Sequence, residues 1–429
     1  MQAFDIIVIG AGPGGYSLAA EAAAQGLRTL IIEKAEAGGT CLNRGCIPTK
    51  CLLASAQAAP RPEYSDAHAR MRTIINGLRK GVDASIAGCT VLSGNARLVP
   101  GPAVEVDGQI YTAPKIVIAT GSVPASLPIP GADLAINSDR LLSLSEVPSS
   151  AVIIGGGVIG IEFACILSAF GCAVTVIEYC PEILPPFDAE VAKRLRSLLT
   201  RRGIAINTGC AVEAIEQCAE GGVIVRYSGK KGQAEAKAQT AIMAVGRRPC
   251  LPEGCEEIGL QLTPRGAIAV DPRTMATSVE GIYAIGDVNG LCMLAHAAEA
   301  QGRVVMGHDV DLDAMPSAVF SIPECAMVGP TEAQLKALGI DYASGKAMYA
   351  GNGKAAAMGA TDGFVKVLCS KGDGRLLAFH AIGAHASDLC AEATACIALG
   401  ATASDIACRI VHGHPTLSEL LPTACRNLR

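Results

Sequence analysis

Two stretches of this chain repeat one succession of apolar and glycine-rich positions. An apolar run from Phe4 to Ile9 passes into Gly10-Ala11-Gly12-Pro13-Gly14-Gly15, then into an alanine-rich run from Tyr16 to Gln25, and a second apolar run, Thr29 to Ile32, ends at Glu33. Short continuous apolar runs bounded by turn residues predict strands buried on both faces, and the longer run behind the glycines predicts a helix. The order returns at Ala151: a strand to Ile154, Gly155-Gly156-Gly157-Val158-Ile159-Gly160, a helix to about Phe170, a strand from Ala173 to Ile177, and then Glu178. Gly15 precedes Glu33 by 18 residues and Gly160 precedes Glu178 by the same 18. Further apolar runs, Lys115 to Ala119, Ala241 to Val245 and Ile282 to Ile285, lead into Thr120-Gly121, Gly246-Arg247-Arg248-Pro249 and Gly286-Asp287. The last third changes character, with strands over Phe364 to Cys369 and Leu376 to Ile382, helices over Ala386 to Leu399 and Ser404 to Ile410, and no glycine-rich phosphate loop.

A lone G-x-G-x-x-G says little, but one set between strand and helix and followed about 20 residues later by an acid is a dinucleotide-binding signature. The first glycine permits a tight turn, the second lets backbone approach a pyrophosphate, and the third lets helix pack on strand. The helix N-terminus offers free N–H groups to the phosphates. The expected fold class is α/β, with two Rossmann-like nucleotide-binding domains and a C-terminal α+β domain. Glu33 and Glu178 are each placed to accept hydrogen bonds from an adenosine ribose. A carboxylate at Glu178 repels a 2′-phosphate, and the following Tyr179, Cys180, Pro181 and Glu182 supply no arginine to bind one. The second nucleotide is therefore expected to be NAD rather than NADP. Ligands of open α/β sheets bind beyond the carboxyl ends of strands. Asp287 is there either to meet a cofactor hydroxyl or to cap a helix.

Close behind the first loop stand Cys41 and Cys46, in Gly39-Thr40-Cys41-Leu42-Asn43-Arg44-Gly45-Cys46-Ile47-Pro48-Thr49-Lys50. An ideal helix would hold residues five apart roughly 8–9 Å from each other, beyond the ~7 Å that a disulfide spans. A pair that closes therefore needs a non-helical turn, which Asn43 and Gly45 permit. A helix is expected to begin just after it, with Pro48 in its first turn. Cys46 would face the positive end of that helix and Lys50 would add a second positive charge, both favouring a thiolate. Cys250 and Cys255 share the spacing, but nothing around them reads as a cofactor site.

Composition narrows the partners. At ~150 residues per domain, 429 residues suggest about three domains. With 50% hydrophobic and 17% charged residues the chain is globular with a large core. A net charge of −5, no tryptophan and 3% aromatics argue against nucleic acid. The 18 cysteines are mostly isolated in apolar settings, where cysteine behaves as a small hydrophobe, and no C-x-x-C pair suggests zinc or any other metal site. The opening runs straight into a strand without a basic leader. A reducing, cytoplasmic setting is expected. Ala151 to Phe170 is nearly all apolar, but its glycines and Glu162 make a buried strand and helix a better reading than a membrane span.

The segment His412-Gly413-His414-Pro415-Thr416-Leu417-Ser418-Glu419 reads in two ways. Thr416 and Glu419 form a capping box. Equally, His414 suits deprotonation of an incoming dithiol near pH 7, with Glu419 orienting its ring. With the dithiol, both nucleotide loops and this segment together, the chain resembles the flavin-dependent pyridine nucleotide–disulfide oxidoreductases over nearly its whole length, and within them the members that oxidise dihydrolipoamide to lipoamide with NAD. The resemblance implies a segment order of 1–142 (FAD-binding, first part), 143–270 (NAD-binding), 271–312 (FAD-binding, return) and 313–429 (dimerisation). It implies FAD held by Gly10, Gly12, Gly14, Gly15, Glu33, Gly39, Thr40, Lys50, Thr120, Gly121 and Asp287, and NAD held by Gly155, Gly157, Gly160, Glu178 and Gly246. Cys41 would meet the substrate, Cys46 would lie against the flavin, and Lys50 would sit near the flavin's reactive edge and pair with Glu162. His414 and Glu419 would act from the other subunit of a homodimer. The substrate would be dihydrolipoamide or a protein-bound lipoyl domain. Glutathione- or mercuric-reductase-like activity, and service mainly as a subunit of a 2-oxo acid dehydrogenase or glycine-cleavage complex, stand as alternatives. Two departures from the family pattern, a short region from Ser55 to Val91 and a short tail after Glu419, are expected to alter the lipoyl channel or a docking surface.

Overall fold

The apolar run at the start of the chain becomes the centre of a five-stranded parallel sheet. In a computed structural model, which describes residues 2–429, the strand order is Ile282–Ala284, Lys115–Ile118, Ile6–Ile9, Thr29–Glu33, Thr90–Ser93. Every residue of Ile6–Ile9 is buried, as a strand covered on both faces requires. The helix behind it spans Pro13–Ala24, three residues earlier than the expected Tyr16. Proline with its preset φ and missing N–H suits a first helical position, so the helix absorbs the last glycines of the loop. Gly10 has φ +103°, and a Cβ there would lie 2.5 Å from Ala119 O. A Cβ on Gly15 would lie 1.9 Å from Gly10 O, so helix and strand touch through bare backbone. Gly15→Ala should therefore lift the helix from the sheet at a cost of about 1–3 kcal/mol, the range of an overpacked core. A thermal melt checks this, and an unchanged melting temperature would mean that the contact does not bear on stability.

Contacts divide the chain into two compact units. The first takes residues 1–126, 137–146 and 246–312. Residues 246–270, expected with the NAD segment, pack here: Arg247–Pro249 pairs antiparallel with Ser122–Pro124, and Leu260 and Ile268 enter the core beneath the parallel sheet. The Ser55–Val91 region holds the end of the helix Cys46–Gln57 and a helix of 22 residues, Tyr64–Ser85.

The second unit takes residues 127–136, 147–245 and 313–429. Its four-stranded parallel sheet runs Ala205–Thr208, Ala173–Glu178, Ser150–Ile154, Thr240–Met243. The helix Val158–Ala169 follows the second glycine loop as expected, and among the described residues no helix is long and apolar enough to cross a membrane. The C-terminal part is a five-stranded antiparallel sheet, where the sequence suggested two strands. Ser317–Val319, Glu324–Val328 and Tyr342–Met348 join Phe364–Ser370 and Leu376–Gly383. Tyr342–Met348, with Ala-Ser-Gly-Lys-Ala inside it, carries little β propensity and owes its form to its neighbour's ladder. The expected helix Ser404 to Ile410 is instead a short π turn, Asp405–Arg409. Asp405 accepts from Thr402 N at 3.0 Å and Thr402 Oγ1 at 2.6 Å at its start.

Lys366, 1% exposed on the middle of this sheet, bonds Asp188 at 3.0 Å and Glu190 and Glu332 at 2.9 Å each. Burial works against its charge, but these carboxylates outweigh it and push the lysine up. Asp188 caps the helix Ala189–Arg201 of the nucleotide sheet, so one ammonium ties both sheets of the unit. Removing one partner of such a cluster strands the others without compensation.

Candidate redox and nucleotide site

Cys41 lies inside a helix, Gly39–Arg44, and Cys46 is the first residue of the next, Cys46–Gln57. The expected non-helical turn between them thus shrinks to one residue, Gly45, at φ −147° and ψ −109°. A Cβ there would lie 2.9 Å from Thr40 O, and this single break redirects the chain enough for each thiol to bear on the other's protonation. Pro48 falls in the first turn, as expected. Asn43 clamps the segment rather than turning it. Its amide donates to Ala37 O and Gly39 O at 3.0 Å, and its oxygen accepts from Arg79 at 3.1 and 2.7 Å. Cys46 is exposed and Cys41 half-buried. The hydrogen bond to Cys46, then burial and the charge on Cys46, push the Cys41 thiol far up, while Lys50 pulls the other way. Burial pushes the Cys165, Cys172 and Cys255 thiols up to about 11. Cys255 donates to Pro252 O and not to Cys250.

Both nucleotide loops share one geometry. Gly155, like Gly10, has positive φ, at +109°, and a Cβ on Gly160 would lie 2.0 Å from Gly155 O. A Cβ on Gly12 or Gly157 would meet nothing within 4 Å, so these two loops are open where a phosphate would approach. Neither following helix has a side-chain cap or an acid in its first turn. Bare, uncapped helix N-termini fit pyrophosphate groups. Gly39 comes so close to Gly12 that a Cβ on it would lie 2.7 Å from Gly12 Cα, which seats the start of the dithiol helix on the first loop. Glu33 accepts from Ala11 N at 2.7 Å and Ala35 N at 2.9 Å, and Glu178 accepts from Gly156 N and, at 2.6 Å, from Cys180 N. Each carboxylate thus braces its own loop, and each oxygen keeps a lone pair for a ribose hydroxyl. Arg196, on the next helix, is held by Glu182 through bonds of 2.7 and 3.0 Å. That pairing opposes its use on a 2′-phosphate, a point the residues next to Glu178 could not reveal.

Asp287 sits in a 3₁₀ turn, Gly286–Asn289, and makes no cap. Its carboxylate accepts from Ser122 Oγ, which in turn accepts from Arg247 Nε at 2.7 Å. Arg247 also donates to Ser122 O at 2.7 Å and reaches Thr40 Oγ1 at 3.5 Å, and its Nε lies 3.8 Å from Asp287. Arg247 therefore links Asp287 to the residue before Cys41. The sequence reading passed over it because Gly246-Arg247-Arg248-Pro249 read only as a strand end. Thr120 Oγ1 donates to Cys250 O at 2.5 Å, Gly121 turns at φ +69°, and Gly246, at φ +105°, opens the return of the chain to the first unit.

In the second unit His414 Nδ1 lies 3.0 Å from Glu419 Oε1. A carboxylate only accepts, so Nδ1 carries the hydrogen and Nε2 is left free to take a proton. The ring is 78% exposed. Glu419 Oε2 accepts from Thr416 N at 2.9 Å and closes the capping box, so the two readings of this segment coexist. The Thr416 N–H, then the His414 ring, hold the Glu419 carboxyl below the usual range. Glu162, 4% exposed, accepts from Phe320 N at 2.9 Å.

Residues 4–302 match the pyridine nucleotide-disulphide oxidoreductase family, and residues 315–425 match its dimerisation domain. The dihydrolipoyl dehydrogenase of Geobacillus stearothermophilus is 38% identical over 445 residues, covering 97% of this chain and 94% of that one. The dihydrolipoyl dehydrogenase of Thermus scotoductus is 38% identical, covering 100% and 98%. Among solved structures, the HOCl-induced flavoprotein disulfide reductase RclA of Escherichia coli, in its Cu(II) complex, is 28% identical, with a TM-score of 0.90 and 99% of each chain covered.

Proposed function

Because the chain belongs to the pyridine nucleotide-disulphide oxidoreductases, which use FAD and NAD(H), we propose that it oxidises dihydrolipoyl groups to the cyclic disulfide and passes the electrons to NAD. One observation carries the reading: Cys41 and Cys46 stand on two helices that meet at Gly45, the first of which starts against an uncapped nucleotide loop. FAD would lie along Gly10, Gly12, Gly14, Gly15 and Glu33, with Gly39, Thr40, Lys50, Thr120, Gly121 and Asp287 around it. NAD would take Gly155, Gly157, Gly160, Glu178 and Gly246. When bound, FAD accepts the electron pair of the dithiol and NAD carries it away as hydride.

The cycle starts with His414 Nε2 of one subunit taking the proton of a substrate thiol held by the other. The thiolate attacks Cys41 Sγ in the Cys41–Cys46 disulfide and displaces Cys46 as thiolate. The second substrate thiol then attacks the mixed disulfide, the lipoyl ring closes, and Cys41 leaves and takes up a proton, in keeping with its high proton affinity. Lys50 would hold positive charge beside the dithiol. The enzyme would be a homodimer in the cytoplasm, its dimer built on residues 315–425.

A single assay series on the FAD-loaded protein tests this. Dihydrolipoamide should be oxidised with NAD at least about 100-fold better than with NADP, which corresponds to about 2.7 kcal/mol of discrimination. Preference for NADPH with glutathione disulfide or mercuric ion would overturn the reading.

A further inference from the structure

A second pair of thiols meets inside the antiparallel sheet domain. Cys369 ends the core of the strand Phe364–Ser370, Cys425 lies on the helix Leu420–Arg426, and both side chains enter one buried cluster, where each shifts the other's proton affinity. They are 56 residues apart in sequence, so nothing in their spacing announces the meeting. The strand carries a register shift between Leu368 and Cys369, and such bulges re-aim side chains. The helix is laid closely on the neighbouring strand Tyr342–Met348: a Cβ on Gly345 would lie 2.1 Å from Ala424 O, and Asn427 Nδ2 donates to Lys346 O at 2.9 Å. The contact is thus built into the packing. Both thiols are buried, at 1% and 5% exposure, yet each stands at the end of its element, with Arg426 following Cys425 and Lys371 two residues past Cys369 at exposed positions.

We propose that Cys369 and Cys425 are a second oxidisable dithiol, which hydroperoxides convert to a disulfide tying the helix Leu420–Arg426 to the sheet. The Cys369 thiolate attacks one peroxide oxygen, the O–O bond breaks, and a sulfenic acid and hydroxide result. Cys425 Sγ then attacks the sulfenic sulfur, the S–S bond forms, and hydroxide leaves. Two thiols are oxidised, one hydrogen peroxide is reduced to two waters, and both thiol protons end in water. The charge distribution suits these roles. The hydrogen bond to Cys425 holds Cys369 below the ordinary thiol range against the effect of burial, and the same bond, then burial, push Cys425 far up.

The inference rests on thiol geometry in the second unit and stands or falls apart from the substrate assignment. Pre-reduced FAD-loaded protein is titrated with hydrogen peroxide, denatured in N-ethylmaleimide, digested without reductant and mapped by mass spectrometry. The expected result is a peptide pair joining Cys369 to Cys425 that grows with peroxide and reverts with dithiothreitol. Cys369→Ala should abolish it, return Cys425 alkylated and leave turnover intact; should that variant not fold, Cys425→Ser serves in its place. Recovery of both cysteines alkylated at doses that close Cys41–Cys46 overturns the proposal, and so does a bridge from Cys425 to Cys396, which shares this core.

Discussion

His414→Gln is expected to slow dihydrolipoamide oxidation by about 10²–10⁴-fold, the usual contribution of a positioned base. Glutamine can keep a hydrogen bond to Glu419, but its amide does not accept a thiol proton near neutral pH. The fold should survive, because the capping bond from Thr416 N goes to Glu419 and not to the imidazole. Reduction of the FAD-loaded protein by NADH, which needs no thiol deprotonated, should stay near the parent rate. Stopped-flow reduction by dihydrolipoamide and by NADH, measured side by side, gives both numbers. Near-parental dithiol oxidation would remove the base assignment from His414.

Cys41→Ser and Cys46→Ser should each lower dihydrolipoamide turnover by about 10³-fold or more, since the two sulfurs act as one unit and losing either disables it. A serine hydroxyl forms no bond to sulfur that a substrate thiolate can exchange. Both cysteines lie at helix positions that accept serine, so the variants should fold and bind FAD. NADH oxidation with an artificial acceptor, which bypasses the dithiol, should continue. If either single variant kept a tenth of the parental dithiol turnover, the exchange chemistry would have to lie elsewhere.

Much of this was legible before the structure. The strand–glycine–helix–acid succession places both nucleotide loops, because glycine's positive φ and missing Cβ leave few other residues able to sit at Gly10, Gly15, Gly155 and Gly160. The Thr416–Glu419 spacing located a capping box that is present. The dithiol turn was legible in part: Gly45 breaks the helix as expected, but Asn43 lies within the first of the two helices that meet there. Arg247, Lys366 and the Cys369–Cys425 pair were out of reach for a different reason. Their partners are distant in sequence, as Asp188 is from Lys366, and no periodicity encodes them.

Glu419 serves two masters with two oxygens, one holding the imidazole and one starting the final helix. A carboxylate that swung away from His414 would also unfasten the turn at Thr416. The general base is therefore aimed by secondary structure itself, so its alignment is settled when the chain folds and no loop has to be recruited when a thiol arrives.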